Sequence, residues 1–199
     1  MKVRFFKQHS MKTCGIACLL MILDAFGKDF PTIGKEQAFY ARYRSKVMPG
    51  TSLGAIAYAL TRAGLDVTLA HASPKLMDNR NEYNPPELHA QLLEEHTAFI
   101  SRCGDELTLR CGEPITPAWL RDELVADRLV LLEICVPGDA DGIHDHVMHG
   151  ILLYAVDGCT ILACDPLKGR IRLTPPELTA LMDTPYGASA LSVGKKSTP

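Results

Sequence analysis

Little in these 199 residues is in excess, and the shortages exclude more than the abundances suggest. Lys and Arg number 21 against 23 Asp and Glu, a formal charge of -2 with no basic block or acidic tail, so neither nucleic acid nor an anionic membrane is an expected partner. No apolar run is long enough to span a bilayer. The longest, Gly15 to Leu23, stops at Asp24 after about nine residues where about 20 are needed. Basic residues precede it as in a signal peptide, but no small-x-small cleavage site follows, and Asp24-Ala25-Phe26-Gly27 closes it as a helix. Glycine-rich phosphate cradles of the G-x-x-x-x-G-K-[ST] or G-x-G-x-x-G type are missing, so no organic cofactor is implied. Ser10 and Ser52 lack the G-x-S-x-G setting of a serine hydrolase. Doubled cysteine knuckles are missing too: Cys103-Gly104 and Cys111-Gly112 are single cysteines, which reads as structural and not as a zinc ribbon.

The seven cysteines are an odd number in a chain large enough to fold without staples, which predicts reduced thiols and a cytoplasmic location. With 47% hydrophobic and 22% charged residues, no repeat and no Gly/Ser linker, residues 1–199 read as a single domain. Its helical part covers about 1–127, its antiparallel sheet part about 128–194, and a short tail 195–199. Cys14 to Phe26 is apolar nearly all round and ends at Gly27, the pattern of a helix buried on most faces. Thr32 caps a second helix to about Lys46, and Ser52 a third through Arg62, with Gly64 beyond its end. Asp66–His71 alternates as a strand, Glu87 to about Cys103 carries a helical stripe, and Glu106–Cys111 reads as a strand. Thr116-Pro117 opens a helix to about Ala126, and Leu129–Val136 is the strongest strand. Val147–Val156, a turn at Asp157-Gly158, Cys159–Cys164 and Arg170–Leu173 read as consecutive antiparallel strands. A capping box at Thr174-Pro175-Pro176-Glu177 starts the last helix. The class is α+β, a buried helix packed on a C-terminal antiparallel sheet.

Cys14 stands where an irregular segment enters that buried helix, and the unpaired amides and dipole of a helix N-terminus favour thiolate over thiol. A thiolate nucleophile needs a base, the base an orienter, and the tetrahedral oxyanion preorganised donors. Gln8 lies six residues before Cys14-Gly15, and His149-Gly150 and Asp165-Pro166 follow later. A two-residue turn near Asp157-Gly158 would return Asp165 toward His149. The set Gln8, Cys14-Gly15, His149-Gly150, Asp165-Pro166 resembles papain-like cysteine peptidases, and more narrowly the double-glycine leader peptidases of bacteriocin exporters and their stand-alone relatives. Glu36 early in a second helix and the T-S-L-G-A-I-A-Y-A-L-T-R-A-G-L segment also suit that family.

The resemblance implies a papain-like fold, Cys14 as nucleophile, His149 as base, Asp165 as its orienter, and Gln8 with the Cys14 amide as oxyanion hole. It implies peptide or amide hydrolysis through a thioester, without cofactor or metal. The same residues would serve an acyltransferase or thioesterase on an acyl carrier protein, or be retained in an inactive peptide-binding module. No transporter sequence accompanies these residues, so a double-glycine substrate does not follow from the resemblance. The stretch 76–114 has no counterpart in the smallest members and reads as an elaboration shaping substrate access.

Two rival constellations compete. His144, His146 and His149 offer imidazoles in close succession, but alternation puts His149 on the opposite strand face from the other two. His146 is the rival base; His149 is preferred because Gly150 and the apolar strand follow it. Cys14 and Cys18, one helical turn apart, suggest a redox pair, but core packing accounts better for Cys18.

Overall fold

The computed structural model describes residues 1–47, 49–72, 86–137, 146–183 and 188–196. In chain order the elements are α1 (Cys14–Ala25), α2 (Ile33–Tyr43), α3 (Leu53–Arg62), β1 (Leu65–His71), α4 (Pro86–Cys103), β2 (Leu107–Cys111), α5 (Pro117–Val125), β3 (Leu129–Pro137), β4 (His146–Asp157), β5 (Thr160–Asp165), β6 (Gly169–Leu173), α6 (Pro175–Met182) and β7 (Ser189–Lys195). The expected caps form: Thr32, Ser52 and Thr116 accept from the backbone N–H of Lys35, Ala55 and Trp119. At α6 the Glu177 carboxylate accepts from both the N–H and the hydroxyl of Thr174. Each supplies a partner for a helix-end group that has none inside the helix.

The strands form one sheet in the order β2-β1-β7-β3-β4-β5-β6. All neighbours are antiparallel except β1 and β2, which run parallel across the α4 crossover. The sheet therefore reaches beyond the expected C-terminal part, taking two strands from the helical half. It also holds a strand the sequence pattern did not predict. β7 lies between β1 and β3 and is buried along nearly its whole length, so S-A-L-S-V-G has no exposed face and shows no alternation.

Strand alternation divides the core in two. Leu129, Leu131, Leu152 and Cys164 face α1 and α3, while Val130, Leu132, Ile151, Leu153 and Ala163 meet Leu120 and Leu124 of α5 and Leu178 of α6. α1 is buried without a break from Ile16 to Leu23, as expected of a helix apolar on all sides. The hairpin turn lies one residue later than expected. Asp157 still pairs with Thr160, leaving Gly158-Cys159 as the loop, with Gly158 at φ 60, the left-handed conformation glycine adopts without strain. Among the described residues no helix is long and apolar enough to cross a membrane.

Candidate active site

The segment Gln8–Thr13 makes no regular structure and is held by one buried carboxylate. Glu36, 1% exposed in the first turn of α2, accepts from the His9 backbone N–H (3.0 Å) and the Thr13 hydroxyl (2.5 Å), and its second oxygen meets His9 Nδ1 at 2.8 Å. Thr13 N–H donates to Ser10 O at 3.1 Å, closing the turn that delivers Cys14 to the first position of α1. The Thr13 hydroxyl is committed to this network and does not cap the helix. The amides of Cys14, Gly15 and Ile16 have no acceptor four residues back within the helix, and Cys14 is half-buried at that electropositive end.

Two glycines face each other where α1 passes the sheet. A Cβ on Gly150 would sit 3.7 Å from Gly15 Cα and N, and one on Gly15 would sit 2.8 Å from Ile56 Cδ1 of α3. One turn further on, the Cys18 thiol donates to Gly150 O at 3.5 Å. This crossing places the preceding residue of β4, His149, beside Cys14.

His149 and Asp165 are both buried, and their side chains meet as Nε2 to Oδ1 at 2.9 Å. Cys14 stands beside the same imidazole and acts on its proton affinity, and with Nε2 turned to Asp165 the other ring nitrogen is Nδ1. Burial by itself would lower the pKa of this histidine, but the hydrogen bonds and charges of Asp165 and Cys14 outweigh it and carry it from 6.5 up to about 9. Burial likewise opposes ionisation of Asp165, yet its carboxyl is held below the ordinary range by His149 and by the amides of Leu167 and Lys168, which donate to Oδ1 at 2.9 and 3.3 Å. Asp165 is the last residue of β5, and Cys164 before it pairs with Leu152 of β4. The carboxylate thus leaves the ladder where β4 runs back to His149.

Gln8 is buried against the same turn: its backbone N–H donates to Pro166 O at 3.1 Å and its Nε2 to Ser10 O at 2.7 Å. The second Nε2 proton is uncommitted, and Oε1 has no partner among the described residues. Burying an unsatisfied amide oxygen costs about 1–3 kcal/mol, which the surrounding fold offsets.

The structure thus brings Cys14, His149 and Asp165 together, with Gln8 packed beside Pro166. Cys18 is wholly buried under the site, and burial, with Cys14, Cys164 and Asp165 close by, pushes its thiol well up, away from reactivity. Cys103 is in the core and Cys111 exposed on the edge strand β2. His144 lies outside the described residues, as do 76–85 of the expected elaboration; His146 opens β4 opposite Pro137. Sequence reasoning missed the carboxylate role of Glu36, whose partners lie more than twenty residues away, and the buried His71–Ser189 pair (2.8 Å) joining β1 to β7. No group of three His, Cys, Asp or Glu side chains among the described residues is arranged to hold a metal ion.

No family model and no curated protein matches the sequence. Solved structures do. The chain is similar to a double-glycine motif protease from an AMS/PCAT transporter, crystallised with its leader peptide, at 16% identity and TM-score 0.50 over 98% of this chain and 93% of that one. It is similar to the peptidase domain of Streptococcus ComA, a bifunctional ABC transporter of a quorum-sensing pathway, at 12% identity and TM-score 0.53 over 98% and 100%. It is similar to a C39-like peptidase from Bacillus anthracis at 12% identity and TM-score 0.54 over 99% and 96%. The fold is that of the papain-like double-glycine peptidase domains.

Proposed function

We propose that the chain is a cysteine peptidase or amidase that cleaves its substrate through a covalent thioester on Cys14. The observation that carries this reading is the buried His149–Asp165 pair, Nε2 to Oδ1 at 2.9 Å, set beside the half-buried Cys14 at the N-terminus of a helix. A histidine held up to about 9 stays protonated at neutral pH and stabilises a thiolate at its other nitrogen.

The geometry supports the following roles. Cys14 Sγ attacks the carbonyl carbon, and the oxyanion accepts from the free Nε2 proton of Gln8 and from the Cys14 N–H. Collapse of the tetrahedral species breaks the C–N bond, and the His149 imidazolium gives its Nδ1 proton to the departing amine. The neutral imidazole then takes a proton from water as that water attacks the thioester. The acid leaves, and Cys14 and His149 return to their starting state. Asp165 holds the ring in orientation and stabilises the imidazolium without itself taking the proton. Support for peptides as substrates comes from the leader peptide bound by one similar structure.

Intact-mass measurement with a peptidyl epoxysuccinate, which alkylates activated thiols, tests the reading. The expected result is one adduct on wild type, none on Cys14→Ala, and a greatly slowed one on His149→Ala. Equal labelling of wild type and His149→Ala would show that Cys14 is not activated by this histidine and would overturn the assignment.

A further inference from the structure

The rim of the site is basic in a chain that is not. Lys7 and Lys12 flank the loop that carries Gln8, and Lys12 is two residues from Cys14, within about 7 Å of it along the backbone. Lys168 lies on the opposing turn, its N–H donating to the Asp165 oxygen that holds His149. The hydrogen bond from Gln8 N–H to Pro166 O joins the two segments into one rim. All three lysines are exposed, and none has an ion-pair partner among the described residues. The neighbouring arginines are occupied: Arg4 pairs with Asp24 and stacks on Phe30, while Arg170 donates to Val3 O and Tyr154 OH. No acidic residue occurs in 1–23, and in 165–173 the sole acid is the buried Asp165. Between the lysines two apolar side chains stand in solvent, Met11 at 63% and Leu167 at 36% exposure, one on each segment.

We infer that this rim docks an acidic peptide segment bearing an apolar side chain, and that carboxylates flanking the scissile bond select the substrate. The inference rests on the peptidase reading for what happens after docking. Unpaired exposed lysines attract carboxylates through water and speed encounter, while Met11 and Leu167 offer the apolar contact that Lys head groups cannot. The chain's balanced net charge conceals this, because the rim rests on three lysines with no acid but the buried Asp165 in the two segments that carry them.

Binding to Cys14→Ala separates docking from chemistry. Fluorescein-labelled 12-residue probes are used, one of Glu, Leu and Ala and a matched one of Lys, Leu and Ala, with fluorescence anisotropy read at about 50 and about 500 mM NaCl. The expected result is binding of the acidic probe at least about tenfold tighter than the basic one, weakening with salt. Lys7→Glu/Lys12→Glu/Lys168→Glu should abolish that preference with unchanged melting temperature, whereas Lys195→Glu, at the opposite end of β7, should retain it. Equal affinity for both probes, or a preference the triple variant keeps, overturns the proposal whatever the alkylation of Cys14 shows. Loss of alkylation with docking intact would sink the peptidase reading alone.

Discussion

Asp165→Asn isolates the charge of the carboxylate beside His149, because a single oxygen, Oδ1, accepts from His149 Nε2, Leu167 N–H and Lys168 N–H. Asparagine keeps an oxygen of the same size in that place and removes the negative charge. His149 stands at about 9 against an ordinary 6.5, a difference equivalent to about 3 kcal/mol in favour of the imidazolium, to which Asp165 and Cys14 both contribute against burial. The sign follows from linkage. A raised histidine pKa contributes stability that is fully present below about pH 6.5 and lost as pH rises through about 9, while the lowered carboxyl contributes stability present above its ordinary value of 3.8 and lost as pH falls through its folded value. The stability lost in Asp165→Asn is therefore greatest between about pH 4 and 6.5, about 1–3 kcal/mol, and shrinks above about pH 9. NMR titration of the His149 ring proton, assigned by its absence in His149→Gln, should show its midpoint falling by at least about one pH unit in the variant, and urea denaturation at both ends of the range should show the pH-dependent loss. A His149 midpoint unmoved by Asp165→Asn, or a loss of stability independent of pH, would refute the assignment of that carboxylate as the group that holds the imidazolium.

Other residues give separable outcomes. Gln8→Ala should lower turnover about 10² to 10³-fold while leaving the alkylation rate of Cys14 within a few-fold, since an oxyanion donor acts only on the tetrahedral species. Glu36→Ala leaves His9 and Thr13 donors without their acceptor and should slow both turnover and alkylation, with Glu36→Gln restoring part because one oxygen can still accept from His9 N–H and Thr13; rates equal in the two variants would show that the carboxylate does not position the loop. Gly54→Ala would place a Cβ 2.8 Å from His96 O and 3.0 Å from its Nδ1, so backbone must shift, and a loss of about 1–3 kcal/mol in denaturant unfolding is expected.

What could be read from the sequence was local. The caps at Thr32, Ser52 and Thr116 announce themselves because a cap and its target lie three residues apart, and the buried α1 because eight successive residues need an apolar environment. The Cys14, His149 and Asp165 set was visible through its motif, and His149 and Asp165 through the one hairpin that separates them. β7 was hidden because a strand buried on both faces carries no period, and its small Ser and Ala residues resemble a loop. Glu36 was hidden as a support for another reason: an acidic residue in the first turn of a helix is ordinary on dipole grounds, and only the fold shows that its carboxylate faces inward to the loop before Cys14.

The site depends on contacts between parts of the chain far apart in sequence, and this shapes how its precision is kept. Cys14 is placed by α1, His149 by β4, and the two elements are locked by the Cys18 thiol on Gly150 O and by the near approach of Gly15 to Gly150, contacts spanning more than 130 residues. Neither glycine adopts a left-handed φ, and the missing side chain matters at Gly15, where a Cβ would meet Ile56 of α3. The two supports are asymmetric. A methyl on Gly150 meets ordinary van der Waals distances, whereas one on Gly15 strikes a buried isoleucine of α3, so the tight constraint sits on the nucleophile side and is set by α3, an element that supplies no reacting group. With Glu36 of α2 fixing the loop before Cys14 and α3 fixing the helix after it, the N-terminal helices act as the clamp, and the sheet supplies His149 and Asp165 at a position the clamp has already defined.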